Sequence, residues 1–370
     1  MKKSTLNLIA AALFITILLS FSVFHLTNAG VISNLTDVPV SYDGSVFENT
    51  SLFNRFYRGV YQNKNSLQTV RRLSYHLFGS VNTDRVVVGR DGFLFPVEDP
   101  ATGYHYIADF LGQAVFTEKE EQTILAVLQD RQSLYHSRGA AYMLVVLPAN
   151  QTLYSEKMPA YLGSASANTR LRHLNDSLRA GGYEYCYDVS EALMAAKSDE
   201  YLCDNTENAL NALGMYYTYR SVLNRFVDNT YQARNVVARN HVIFYQSNTE
   251  GRELAHLAGL DGIVQNRTVL LRNDTHYGYR LLFNTGFAAR TARLPEDYST
   301  LPPDSMSVLL QFTNSRDRLL LEPYFSNTFD YVTYQTDLSD DEDVFEKADP
   351  DVVIQFIREN ELSLLLPAIT

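Results

Sequence analysis

A serine hydroxyl near neutral pH keeps its proton almost wholly, and it attacks a carbonyl only with a base beside it. Ser315 is the serine placed for such chemistry, in Thr313-Asn314-Ser315-Arg316 directly after the apolar run Ser307–Phe312. Two other stretches decide whether it has a base. Leu202–Arg220, LCDNTENALNALGMYYTYR, carries Glu207 in a polar loop but holds no histidine. Further on, Asp274-Thr275-His276-Tyr277 sets an acid two residues from an imidazole. A dyad there would serve Ser315 if the fold brought them together, since triads are defined by geometry and not by chain order. A lone histidine is more often a surface or hydrogen-bonded loop residue, and His276 carries that reading too.

The other chemistry is quickly bounded. His76, His136, His173 and His256 lie in helical stretches without an acid or cysteine at ligand spacing, and are read as structural. There is no internal repeat, phosphate-cradling glycine loop or metal-ligand spacing, so neither cofactor nor metal is expected. The acidic run Asp337–Asp343 lacks EF-hand spacing and reads as a solvated loop.

The elements that must position these groups are legible in outline. Leu210, Leu213, Tyr217 and Arg220 recur at helical spacing, so Leu202–Arg220 reads as a strand end, a loop and a helix. In an α/β fold, site residues collect beyond the carboxyl ends of strands. Val86–Val88 and Phe93–Phe95 flank Asp91-Gly92, a hairpin signal. Thr117 and Glu120 form a capping box for a helix to about Tyr135, which Gly139 ends. Tyr142–Leu147 is a continuous apolar run, as in a buried parallel strand, and it exits through Pro148-Ala149-Asn150-Gln151. A helix over Thr169–Ala180, a strand over Tyr183–Asp188 and a helix capped by Ser190 follow. Later strands are expected at Val242–Tyr245, Val269–Leu271, Ser307–Phe312, Phe329–Thr333 and Val352–Ile357, with a short helix at Leu254–Leu260. Strands alternating with helices imply a mostly parallel sheet covered on both faces.

Composition narrows the function class. Of 370 residues, 46% are apolar and 20% charged, which suits a folded globule rather than a disordered chain. A formal charge of −11 argues against non-specific nucleic-acid binding, which needs clustered Lys and Arg. With 25 Tyr, 20 Phe and no Trp, tyrosine faces are available to stack on sugars, although most aromatics simply pack in cores.

Lys2 and Lys3 precede an uncharged apolar run from Leu6 to about Phe24, followed by Thr27-Asn28-Ala29. This reads as an export signal, either cleaved after Ala29 or retained as a membrane anchor. Cys186 and Cys203 would then meet an oxidising compartment, which favours a disulfide over two buried thiols. From Gly30 to about Arg85, Phe53, Phe56, Tyr57 and Tyr61 and then Leu67, Val70, Leu73 and Leu77 suggest two amphipathic helices. They read as a stem.

Several of these pieces, in this order, resemble the alginate O-acetyltransferase family, the AlgX/AlgJ-like and DHHW-type SGNH hydrolase-like proteins. VVVGRDGFLF at Val86–Phe95 resembles that family's opening block. LVVLPANQTLYSEKMP at Leu144–Pro159 resembles its second, in which a strand ends in Pro-Asn-Lys and runs on to a Tyr and a Pro. ENALNALGMYYTY at Glu207–Tyr219 stands in the place of its Asp-Thr-His-Trp-Asn block. LLQFTNSRDRLLLEPYFSNTF at Leu309–Phe329 stands in the place of its Gly-Asp-Ser-Phe block, and PDVVIQFIRENEL at Pro350–Leu362 resembles its closing strand and helix. The resemblance implies a catalytic triad of Asp, His and Ser that passes an acetyl group to a sugar hydroxyl. Carried over by position, Ser315 matches the nucleophile, Glu207 falls at the Asp and Ala209 at the His. Asn314 falls at the acid beside the Ser, and Ala149 and Asn150 at the Asn-Lys.

Those departures are chemical ones. Alanine has no lone pair, and losing the histidine of such a triad removes about as much rate as losing the whole triad, on the order of a millionfold. The expectation is therefore an SGNH-hydrolase-like three-layer α/β domain over 86–370, behind a signal peptide or anchor at 1–29 and a helical stem at 30–85. It is expected to be exported, membrane-anchored and catalytically inactive, binding polysaccharide or envelope-assembly proteins and no nucleic acid. The alternative is an active O-acetyltransferase that pairs Ser315 with Asp274 and His276.

Overall fold

Asp91 and Gly92 take positive φ angles of 55° and 76°, the left-handed backbone that reverses the chain between Val86–Val88 (β1) and Leu94–Pro96 (β2). The two strands pair antiparallel, as the sequence leads one to expect. This is a computed structural model that describes residues 71–77, 79, 81, 83–197, 200–227, 236–272, 289–292, 306–329 and 331–367. The chain divides into two units, Met1–Asn63 and Lys64–Thr370, and every described residue lies in the second. The apolar run Leu6–Phe24, most of the expected stem, and both Asp274 and His276 lie outside the described residues. Among the described residues no helix is long and apolar enough to cross a membrane.

A small antiparallel pair, Glu98–Asp99 (β3) and Tyr104–His105 (β4), leads into the short helix Tyr106–Phe110 (α1). Helix Glu118–Ser137 (α2) starts with the expected capping box: Thr117 Oγ1 accepts from the Glu120 N–H, and Glu120 Oε2 accepts from the Thr117 N–H. Strand Ala141–Leu147 (β5) follows, then helices Asn150–Leu153 (α3) and Arg170–Ala180 (α4), with Thr169 capping the latter. Next come strand Cys186–Asp188 (β6) and helices Ser190–Ala196 (α5) and Ala212–Val227 (α6). Strands Phe244–Thr249 (β7) and Asn266–Leu271 (β8) enclose helix Glu253–Ala258 (α7). Strands Ala289–Ala292 (β9) and Ser307–Phe312 (β10), helix Ser315–Thr328 (α8) and strand Tyr331–Gln335 (β11) come after them. Helix Glu342–Ala348 (α9), strand Val352–Arg358 (β12) and a 3₁₀ turn at Glu359–Leu365 close the described chain.

Six strands form one sheet in the order β6-β5-β12-β10-β11-β9, parallel except for the antiparallel edge strand β9. Alternation along β5 splits the core in two. Met143, Val145 and Leu147 pack with Leu213, Tyr216 and Tyr219 of α6 and Leu321 and Phe325 of α8. Tyr142, Leu144 and Val146 pack with Ile124 and Leu128 of α2 and Leu171, Leu174 and Leu178 of α4. Helices therefore cover both faces. Between them runs a buried amide ladder across three strands: Gln355 Nε2 donates to Gln311 Oε1 at 2.6 Å, and Gln311 Nε2 to Gln335 Oε1 at 2.8 Å. Tyr142 Oη and Arg131 saturate the far end through Gln355 Oε1, so these buried amides keep their partners.

Several expectations are corrected here. Cys186 and Cys203 are both free thiols. Cys186 packs in the cluster with Leu144 and Val146, whereas Cys203 packs with Met143 and Val145, so the sheet stands between them and no disulfide can span it. Strand β6 is half its expected length because the chain turns through Gly182 (φ 72°) and joins the ladder only at Cys186. Ser190 is the first residue of α5 and not its cap; its hydroxyl and N–H both donate to Asp188 Oδ1. The strands expected near Val242 and Val269 pair with each other as β7 and β8, outside the main sheet. In the helical segment 71–77, Leu73 and Leu77 are exposed while Tyr75 packs toward Leu254 and Leu260.

Candidate functional site

The chain leaves β5 for β6 on one side and β10 for β11 on the other, with β12 between them. This is a topological switch point, where crevices open at the carboxyl ends of strands. Four segments converge there: Pro148–Asn150, Thr313–Arg316, Arg358–Asn360 and the loop 203–211.

Loop 203–211 is held by its own polar side chains. Asn211 Oδ1 accepts from the N–H groups of Leu213 and Gly214 at 3.0 and 3.1 Å, opening α6, while its Nδ2 donates to Tyr201 O at 2.6 Å. Asn205 Nδ2 donates to Gly92 O and Gln265 O, and Asn205 Oδ1 accepts from the Arg267 N–H at 2.5 Å. Thr206 Oγ1 donates to Asn266 Oδ1 at 2.9 Å. From the second loop, Asn150 Nδ2 donates to the carbonyls of Asp204 (2.8 Å) and Glu207 (2.9 Å), and its N–H donates to Asn208 Oδ1. The two loops are thus one hydrogen-bonded unit.

Gly214 makes that packing possible. A Cβ there would lie 2.1 Å from Leu202 O. Gly214→Ala should therefore destabilise the protein by about 1–3 kcal/mol, although alanine improves helix propensity by roughly 1 kcal/mol. The midpoint of urea unfolding tests this, and a raised midpoint would refute the close approach.

The charges at the site are arranged as locks. Arg316 Nη2 donates to Asp204 Oδ2 at 2.5 Å, and Arg316 Nη1 lies 2.8 Å from Glu207 Oε1. The Asp204 side chain is fully buried, and Arg252 approaches Glu207 from outside at 3.9 Å. Beside this cluster Arg358 grips Asp317 with two bonds, Nε to Oδ2 at 2.6 Å and Nη2 to Oδ1 at 2.8 Å. Both guanidiniums are donors only, with no lone pair to take a proton.

Ser315 is the first residue of α8 and is exposed, with Asn314 as the cap accepting from the Arg316 N–H at 2.9 Å. No described imidazole or carboxylate is hydrogen-bonded to its hydroxyl. Glu207 is brought to the same corner, but it faces Arg316. The Ala209 methyl lines a cleft of about 10 Å³ with Asn208, Asp317, Arg358 and Asn360, room for at most about one water. The position that the resemblance assigns to an imidazole is filled by protein. Asp274 and His276 lie outside the described residues. Among the described residues no three His, Cys, Asp or Glu side chains converge to hold a metal ion.

A second acid group lies behind the Ala149 loop. Glu359, fully buried, accepts from the Ala149 N–H and Thr152 Oγ1, each at 2.8 Å, and lies 3.4 Å from Tyr104 Oη. Tyr104 Oη donates to buried Asp109 at 2.6 Å. Burial pushes the Glu359 carboxyl up to about 8 against the pull of those two hydrogen bonds, and burial raises Asp109 as well. Sequence reasoning passed over Asp204, Arg316, Asp317, Arg358 and Glu359. One sign was available: Arg358-Glu359 is a charged pair at the end of an apolar strand, where a charge must find a partner.

No family model and no curated protein matches the sequence. Solved structures do match in fold. The chain is similar to Bacillus cereus PatB1, with a TM-score of 0.50 and 10% identity over 76% of this chain and 97% of that one. It is also similar to the O-acetyltransferase domain of Pseudomonas putida AlgJ (TM-score 0.47, 14% identity, 76% of this chain and 92% of that one). A DHHW family protein from Eubacterium siraeum matches likewise (0.47, 11%, 75% and 95%). At 10% identity the likeness to PatB1 is one of fold.

Proposed function

We propose that this chain is an exported SGNH-like relative of polysaccharide O-acetyltransferases that has lost catalysis and serves as a binding or scaffolding component in exopolysaccharide or cell-envelope assembly. One observation carries the reading: no described imidazole or carboxylate is hydrogen-bonded to the exposed Ser315 hydroxyl, and Glu207 at the same corner is tied up by the Arg316 guanidinium. Ala209 in the place of the family's His supports it, since a methyl group has no lone pair to take the serine proton. The SGNH-like three-layer assignment, the signal peptide or anchor at 1–29 and the stem at 30–85 belong to this reading and rest on the sequence blocks and the Leu6–Phe24 run. So does extracytoplasmic localisation.

Purified protein is expected to hydrolyse p-nitrophenyl acetate no faster than its Ser315→Ala variant. Turnover that disappears in Ser315→Ala would overturn the proposal. The second reading is an active O-acetyltransferase using Asp274 and His276, and one observation favours it: Ser315 is exposed at the start of α8, open to a group arriving from outside the described residues. That reading expects His276→Ala to abolish turnover, and unchanged turnover would remove it.

A further inference from the structure

At the opposite end of the sheet from Ser315 lies a cavity of about 510 Å³, in the size range of small-molecule sites. Its origin is the shortness of β6. Strand β5 begins at Ala141, but β6 pairs only with Leu144, Val145 and Val146. The chain before Cys186 bows away through Gly181-Gly182 and leaves the first turn of the ladder open. The Ala141 N–H donates to Asp351 O on the β12 side, and the Leu144 N–H to Tyr185 O on the β6 side. Alternation therefore turns the N–H and C=O of Tyr142 toward the open edge.

The walls are aromatic and amide. Tyr183 and Tyr185 meet edge to face at 5.6 Å, and Tyr142 lies 6.0 Å from Tyr185. The Tyr185 hydroxyl points away from the open space: it is buried, with no hydrogen-bond partner among the described residues, so Tyr185 offers the cavity its ring and not its hydroxyl. Gln129 and Gln132 line the cavity from α2, and Arg225 from the end of α6. The guanidinium of Arg225 rests over the Tyr187 ring at 5.4 Å and donates to Glu184 O at 3.3 Å.

We infer that this cavity is a saccharide-binding site that takes a pyranose unit of an oligosaccharide. A pyranose presents C–H faces that pack on tyrosine rings, with hydroxyls at its rim that both donate and accept. The rim groups here match that chemistry: two primary amides, an open strand edge and one guanidinium able to meet a carboxylate on a uronate. Among the described lining residues there is no Ser, Cys or His, and Glu184 is the one carboxylate, so the chemistry of the cavity is recognition. The inference rests on the reading of the chain as a glycan-binding component and adds where the glycan binds.

The test is calorimetric titration of the full chain with cellohexaose, chitohexaose and hexagalacturonate, which separate neutral, N-acetylated and acidic sugars. At least one is expected to bind with millimolar or better affinity, and Tyr183→Ala and Gln132→Ala should each weaken it about tenfold or more. Failure of all three probes at about 1 mM, or binding unaffected by Tyr183→Ala and Gln132→Ala, would overturn the inference. Binding indifferent to these variants would leave the glycan-binding role standing, whereas Ser315-dependent ester cleavage would sink the role and not the cavity.

Discussion

Replacing Arg316 with methionine is expected to lower the unfolding free energy by about 3–5 kcal/mol, the usual result of stripping a buried charge of its partner. Asp204 has no side-chain exposure, and its Oδ1 has no hydrogen-bond partner besides. Without Arg316 the carboxylate is left in the core, and Glu207 beside it becomes a like charge whose remaining ion pair among the described residues is with Arg252 at 3.9 Å. Urea unfolding checks the prediction through a lower midpoint at unchanged slope. The double variant Asp204→Asn, Arg316→Met should recover most of the loss, because both charges leave together. A loss below about 1 kcal/mol, the scale of an exposed ion pair, would mean that water reaches Asp204.

A comparable effect is expected from acidity. Glu359 has an ordinary carboxylate value of 4.5 when exposed and about 8 when folded, where burial favours its neutral form. Between those values the folded chain binds a proton that the unfolded chain has released, so stability declines as pH rises. The contribution is complete below about 4.5 and gone once the pH has passed through about 8, a change on the order of 5 kcal/mol. Unfolding free energy measured from pH 5 to pH 9 should fall across that range. Glu359→Gln, neutral at every pH and still able to accept from the Ala149 N–H, should flatten the profile. An unchanged slope in the variant would assign the dependence to other groups, Asp109 foremost.

What could be read without coordinates was mostly local. The Thr117 and Glu120 capping box, the Asp91-Gly92 reversal and the apolar strands β5, β10 and β12 each carry their cause within a few residues. The residue pattern puts Ser315 in the exit of the strand Ser307–Phe312 and Glu207 in a polar loop, and they stand in those places. The insertion of β12 between β5 and β10 could not be read, because it depends on pairing between remote segments. Neither could the Asp204–Arg316 lock, whose partners stand 112 residues apart. Cys186 and Cys203 misled for a related reason: an oxidising compartment says nothing of which side of a sheet a side chain takes.

That separation has a practical side. Cys203 sits next to Asp204 with its thiol wholly enclosed, and burial holds it well above its ordinary value, so an alkylating reagent finds no thiolate while the loop is closed. Labelling at this position then counts the moments when the loop swings free, and the chain carries its own reporter for how often the Arg316 lock lets go.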